Sequence, residues 1–150
     1  MKEGDNHALI LENRDFFLIA QEYLDQGKNV EFLLKGNSMR PFLRPGDKVR
    51  LTRDRERSLR VGEILLVRWK EKFILHRLVF ASSRYLFLAG DNNLFQIERV
   101  DRSCMVARVT GARRSERSVG HLGFTGRLLG MLWFGLRPLR WIEYLIKKKQ

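Results

Sequence analysis

The sequence is poor in the residues that form disulfides, bind metals or stiffen the main chain. Cys104 is the single cysteine among 150 residues, which excludes an internal disulfide and a cysteine-based zinc site. There are three histidines and three prolines, and two of the prolines, Pro41 and Pro45, lie close together. We therefore expect no metal and no cofactor.

Long hydrophobic runs are also missing. Within His121–Ile146 the longest uncharged run is Leu128–Leu136, nine residues, whereas a membrane-spanning helix needs about 20. The first five residues, Met1–Asp5, are polar and begin no apolar run. We expect neither a signal peptide nor a transmembrane helix, and hence a protein that is cytoplasmic or peripheral to a membrane.

Acidic residues are scarce relative to basic ones. The chain has 29 Lys and Arg against 17 Asp and Glu, a net charge of +12, which indicates a polyanionic neighbour, either nucleic acid or an anionic lipid surface. The basic residues are scattered without a nucleic-acid-binding motif, so we do not expect nucleic acid as the partner. Hydrophobic residues make up 44%, enough for one domain with a proper core.

The periodicity predicts a mainly β fold with one helix before it. Apolar residues recur at helical spacing from about Asn13 to Gln26, and Gly27 is a stop signal. Short strands separated by turn residues follow. We place them at Val30–Leu34, Lys48–Thr52, Glu63–Trp69, Phe73–Phe80, Tyr85–Ala89 and Met105–Thr110. Six such strands predict a compact antiparallel sheet or a partly closed barrel.

Composition divides the chain into four parts. We assign residues 1–27 to a lead and helix, 28–112 to the β domain, 113–120 to a basic linker and 121–150 to an amphipathic, helical tail rich in basic and aromatic residues. Two interpretations of the tail stay open. It lies on an anionic membrane surface, or it packs on the β domain or a partner protein.

The segment Gly36–Asp47 can hold one hydroxyl outside regular structure. Gly36 permits backbone angles closed to other residues, and the two prolines fix φ beyond Ser38. A serine held in this way suits a nucleophile if a base lies within hydrogen-bond reach.

Two further polar positions could complete such a site. His76 lies inside a predicted strand and is either a base or a core-edge histidine bonded to a carbonyl. Asp91, in Gly90-Asp91-Asn92-Asn93, either orients an imidazole or caps an ordinary Asx turn. Strand alternation places Lys72 on the same face as His76, which makes it the reserve candidate for a base.

The order of these motifs resembles the signal peptidase I family and its S24/S26 serine-peptidase relatives. The serine box Gly36–Asp47, the run Val61–Ile64, the run Leu75–Val79 and the box Gly90–Asn93 follow one another as in that family, over about Val30 to Thr110. The resemblance implies a signal-peptidase-like β fold and a serine endopeptidase.

The resemblance also implies site residues and a substrate. The serine would be Ser38, the base His76 as in the Ser-His branch, and the orienting acid Asp91. The family usually has a second serine, an oxyanion donor, where this chain has Gly36, so Asn37 and Met39 are assigned to support the oxyanion site. The substrate would be a peptide or protein precursor, added as a strand at a sheet edge and cleaved after a small residue.

Two other functions remain open. A self-cleaving regulator related to SOS-response repressors would carry a lysine base and a DNA-binding domain, whereas only one helix is predicted before Val30. A non-catalytic module that binds membrane or nucleic acid on a peptidase-like fold would agree with the charge.

Overall fold

The computed structural model of the protein describes residues 13–54, 57–120 and 122–148, and its centre is one antiparallel sheet. The strands run in the order β1-β2-β7-β3-β4-β5-β6, with β8 beside β7. Their bounds are β1 Val30–Leu33, β2 Lys48–Thr52, β3 Ile64–Trp69, β4 Lys72–Ala81, β5 Tyr85–Ala89, β6 Glu98–Asp101, β7 Met105–Arg114 and β8 Arg117–Ser118. The predicted mainly β class is confirmed.

Both faces of the curled sheet are covered by apolar side chains. Along β3, Ile64 and Leu66 belong to a larger core, whereas Leu65 and Val67 belong to a second cluster. This alternation follows from the two-residue period of a strand. Since both faces are packed there, the first four residues of β3, Ile64–Val67, are all apolar and buried instead of alternating with polar residues.

The first helix, α1 (Asn13–Asp25), covers the larger core. Its buried residues Phe17, Ala20 and Leu24 are three or four positions apart and so share one face. Gly27 follows the helix with φ of +74°, and its N–H donates to the Leu24 carbonyl at 3.1 Å. This is the left-handed ending that glycine allows, and it agrees with the predicted stop.

The region predicted as a basic linker is different in the structure. β7 continues to Arg114, and a two-residue turn at Ser115 and Glu116 leads directly into β8. Both turn residues have positive φ, 45° and 65°, as the tightest hairpin turns require. The hairpin is held by main-chain pairing that needs no apolar side chains, so composition did not reveal it.

The tail forms two consecutive helices, α2 (Phe124–Gly135) and α3 (Arg137–Lys148). They are separated at Leu136, whose φ and ψ of −81° and 2° fall outside the helical region. Among the residues that the structure describes, none of the helices is both long and apolar enough to cross a membrane.

Candidate active site

The serine box forms a loop that is closed at its base by main-chain hydrogen bonds. Leu34 donates its N–H to the Asp47 carbonyl at 2.8 Å and accepts from the Gly46 N–H at 2.8 Å. The buried Asp47 carboxylate accepts two bonds from Arg114, at 2.7 and 2.8 Å. Burial alone would raise the pKa of Asp47, but the hydrogen bonds from Arg114 and Arg44 hold it below its usual range. The loop is therefore fixed at both ends.

Ser38 lies on the exposed side of this loop. Gly36 has φ of +86°, a conformation that favours glycine, and the chain then turns so that Met39 enters the larger core at 2% exposure. The Leu43 N–H donates to the Met39 carbonyl at 3.0 Å. Ser38 and Asn37 both remain exposed. Met39 thus anchors the loop, and its neighbour Ser38 faces solvent.

Gly90 is the point at which the serine and the histidine come together. A Cβ placed on Gly90 would lie 2.8 Å from the Ser38 carbonyl oxygen, 3.1 Å from His76 Nε2 and 3.4 Å from Ser38 Cβ. The Asn92 N–H also donates to the Ser38 carbonyl at 2.8 Å. The structure therefore brings together the three boxes that the sequence analysis singled out.

The imidazole of His76 is held by a glutamate. His76 Nδ1 lies 2.9 Å from Glu98 Oε2, and both side chains are buried. Bonding at Nδ1 leaves Nε2 for the side that faces Ser38. Within the described residues the structure records no hydrogen bond between Ser38 Oγ and His76 Nε2, and such bonds commonly tighten only when substrate binds.

The structure differs from the sequence prediction for Asp91. Its two oxygens each accept a bond of 2.7 Å from Arg77, through Nε and Nη2, and the carboxylate that bonds the imidazole is Glu98 instead. Burial raises the pKa of the Asp91 carboxyl, although the hydrogen bonds from Arg77 act in the opposite direction. Asp91 therefore supports the site through Arg77.

Glu98 was not singled out from the sequence. It lies five residues beyond the Gly90–Asn93 box, on the strand β6, which was not predicted. A signal was present, because a glutamate two positions before Val100 shares a strand face with it. A carboxylate on an otherwise apolar strand face needs a hydrogen-bond donor when it is buried, and here that donor is His76.

Arg77 contacts both the Gly90–Asn93 box and the serine loop. Besides Asp91, its guanidinium donates to the Gly62 carbonyl at 2.7 Å and lies 5.0 Å from the centre of the Phe42 ring in the serine loop. Its side chain is 2% exposed. Gly130 of α2 packs on the guanidinium so closely that an added Cβ would overlap it.

The C-terminal helices bond to the loop next to the site. Trp133 Nε1 donates to the Asp91 carbonyl at 2.8 Å, and Arg140 donates to the same oxygen at 3.2 Å. Arg137, which is buried, donates to the Gly90 carbonyl at 3.4 Å. The helices predicted as a tail are thus in direct contact with the Gly90–Asn93 box.

Comparison with known families agrees with this geometry. The model of the Peptidase S24-like family matches residues 3–110, which hold the serine loop, β4 and β6. The chain belongs to the Peptidase S24-like family. Membership confirms the S24/S26 resemblance and a peptidase-type fold. A search of curated proteins gives no match.

Family membership leaves the base and the substrate to be argued from the side chains. A self-cleaving regulator of the kind considered in the sequence analysis would use a lysine base. Here the reserve candidate Lys72 is exposed and lies four residues before His76 on β4, which is roughly 13 Å along a strand. In this S24-like chain the basic group next to Ser38 is His76.

Proposed function

We propose that the chain is a serine endopeptidase of signal-peptidase type, with Ser38 as nucleophile, His76 as general base and Glu98 as the residue that orients His76. The observation that carries the proposal is the arrangement around Gly90. His76 Nε2 and Ser38 Cβ lie 3.1 and 3.4 Å from the position that a Cβ on Gly90 would occupy. Nδ1 of the same imidazole is 2.9 Å from Glu98 Oε2.

The proposed steps of peptide hydrolysis follow from the positions of Ser38, His76 and Glu98. Ser38 Oγ attacks the scissile carbonyl carbon as His76 Nε2 accepts the hydroxyl proton. Glu98 accepts the Nδ1–H bond and stabilises the imidazolium that forms, as the acid of a Ser-His-Asp set does. His76 then returns the proton to the leaving amine, and a water hydrolyses the acyl-enzyme by the same steps. Glu98 takes the place that the sequence analysis assigned to Asp91.

The oxyanion would be stabilised by the serine loop. The Ser38 N–H is the first candidate donor, and the exposed Asn37 side chain is the second, since Gly36 offers no hydroxyl. Losing one oxyanion donor typically costs about 3 kcal/mol of transition-state stabilisation. The peptide would be held at the edge strand β1, which leads into the serine loop, through main-chain hydrogen bonds.

Peptide cleavage by variants tests the three roles. We expect purified protein to cut peptides that have alanine or glycine before the scissile bond, and Ser38→Ala and His76→Ala to fall to background. Glu98→Gln should lower kcat by about 10²–10⁴-fold, because the imidazole loses the partner that fixes its tautomer. Glu63→Gln is the matched control, since Glu63 is also buried but accepts from Arg57 and Arg108.

Two results would overturn the proposal. Cleavage that persists in Ser38→Ala or His76→Ala would show that other groups perform the chemistry. Equal losses in Glu98→Gln and Glu63→Gln would show that Glu98 acts only on folding. Cleavage of the chain by itself, in place of added peptide, would favour the self-cleaving regulator.

A further inference from the structure

Each of the two C-terminal helices leaves a row of apolar side chains uncovered. We call the two rows together the outer face and define it by Phe124, Leu128, Leu132, Leu139, Ile142 and Ile146. These side chains are between 50% and 72% exposed. On α2 they follow a four-residue spacing, and on α3 a spacing of three or four, so each set occupies one side of its helix.

Both helices are oriented opposite to an ordinary surface helix. A surface helix normally buries its apolar stripe on the core and exposes its polar side. In α3 the buried residue is Arg137, and Arg140 bonds the Asp91 carbonyl. In α2 the buried residues are Gly126 and Gly130. The polar and small sides therefore face the β domain, so the β domain does not cover the outer face.

The exposed lysines at the end of α3 indicate what covers the outer face. Residues 122–148 contain five basic side chains and one acidic one, Glu143. Lys147 and Lys148 end α3, and both are exposed. Trp141 and Tyr144 of the same helix are 45% and 47% exposed. An exposed apolar side together with exposed lysines is typical of helices that lie in the headgroup region of anionic lipids.

We propose that the outer face binds an anionic membrane surface, with α2 and α3 lying in the lipid headgroup region. A second copy of the chain fits less well, because two copies that each carry a net charge of +12 repel each other. The proposal does not depend on peptidase activity. Since the opposite sides of the helices bond to Gly90 and Asp91, the bound protein would present Ser38 to peptides near the headgroups.

Vesicle binding tests this directly. We expect the full chain to co-sediment with vesicles of phosphatidylcholine and phosphatidylglycerol, and to bind pure phosphatidylcholine more weakly. The double variant Leu139→Gln, Ile146→Gln should lower the partition coefficient at least tenfold, because its apolar groups no longer enter the lipid. The matched control is Leu18→Gln, Ile19→Gln, which changes two exposed apolar residues of α1 and should bind normally.

Further variants separate this proposal from the others. Ser38→Ala should bind vesicles as the wild type does, so a failed peptidase assay and a failed binding assay are distinguishable. Lys147→Glu, Lys148→Glu should weaken binding to anionic vesicles. Wild-type protein that stays in the supernatant would overturn the proposal. So would equal binding by the Leu139→Gln, Ile146→Gln variant and its control, Leu18→Gln, Ile19→Gln. So would a dimer in sedimentation equilibrium that the Leu139→Gln, Ile146→Gln variant dissociates, because the outer face would then bind a second copy.

Discussion

In β3, Leu65 and Leu66 are fully buried on opposite faces of the sheet, whereas in α3, Leu139 and Ile146 are 63% and 59% exposed on a helix whose one buried residue is an arginine. Both elements carry leucine and isoleucine side chains, but these side chains differ in what they face. The strand lies between two packed layers, and the helix touches the β domain with its polar side. Apolar composition alone therefore does not identify a core element in this chain.

The two regions meet at one buried ion pair. Arg77 belongs to the sheet and Asp91 to the site loop. Gly130 of α2 packs on the Arg77 guanidinium, and Trp133 of α2 donates to the Asp91 carbonyl. Substitutions in this pair, in the sheet and in the C-terminal helices test whether the two regions also differ in what they contribute to the free energy of unfolding.

The largest effect is expected at the ion pair itself. Asp91→Ala leaves the Arg77 guanidinium buried without its partner, which should lower the free energy of unfolding by about 3–5 kcal/mol. Urea denaturation followed by circular dichroism measures it. Glu143→Ala, which removes the exposed pair with Lys147 in α3, should cause no measurable change.

A double variant shows whether the loss in Asp91→Ala comes from the unpaired charge of Arg77. Arg77→Met with Asp91→Leu replaces both charges with apolar groups and should recover much of the lost stability. A loss below about 1 kcal/mol in Asp91→Ala would mean that water reaches the pair and that the contrast with Glu143 is small.

Leucine truncation compares the two regions directly. Leu66→Ala should destabilise the protein by about 2–5 kcal/mol, because it removes methyl groups from a packed core and leaves a cavity. Leu132→Ala removes the same atoms from a side chain that is 58% exposed and should stay within about 0.5 kcal/mol. Similar losses for both, measured by thermal unfolding, would mean that the outer face is covered in solution.

Glycine substitution in α2 tests its contact with the sheet, with a smaller expected effect. A Cβ at position 130 would overlap the Arg77 guanidinium, which Asp91 holds in place, so Gly130→Ala should cost about 1–3 kcal/mol. Gly135→Ala, in the same helix with nothing within 4 Å, should be neutral or stabilising by up to about 1 kcal/mol. Equal effects in denaturation would contradict the close contact.

The sheet was predictable because its signals are local. All six predicted strands are present, with ends that differ by at most four residues, because apolar and β-branched runs between turn residues specify strands. β6 was missed because Glu98-Arg99-Val100-Asp101 carries three charges in four residues. Its apolar and buried positions alternate with exposed ones, a pattern too short to be recognised.

The site was predictable only in part, because the pairing of charges is not local. Ser38 and His76 could be proposed from order and spacing, and the structure places both beside Gly90. Two carboxylates, Asp91 and Glu98, and two possible partners, His76 and Arg77, allow more than one pairing. The sheet register determines which carboxylate bonds His76. Glu98 pairs with Leu88 across β5 and β6, which brings the Glu98 side chain toward His76.

The width of the site depends on an atom that Gly90 lacks. Ser38 and His76 approach each other across the volume that a single methyl group would fill, and the distances of 2.8 and 3.1 Å leave no room for one. The methyl group of an alanine at this position would push Ser38 and His76 apart, although both side chains would remain in the protein. On the proposed mechanism, such a protein would still hold a peptide along β1 but could not cut it, which makes Gly90→Ala the substitution to test for a variant that binds peptide without cleaving it.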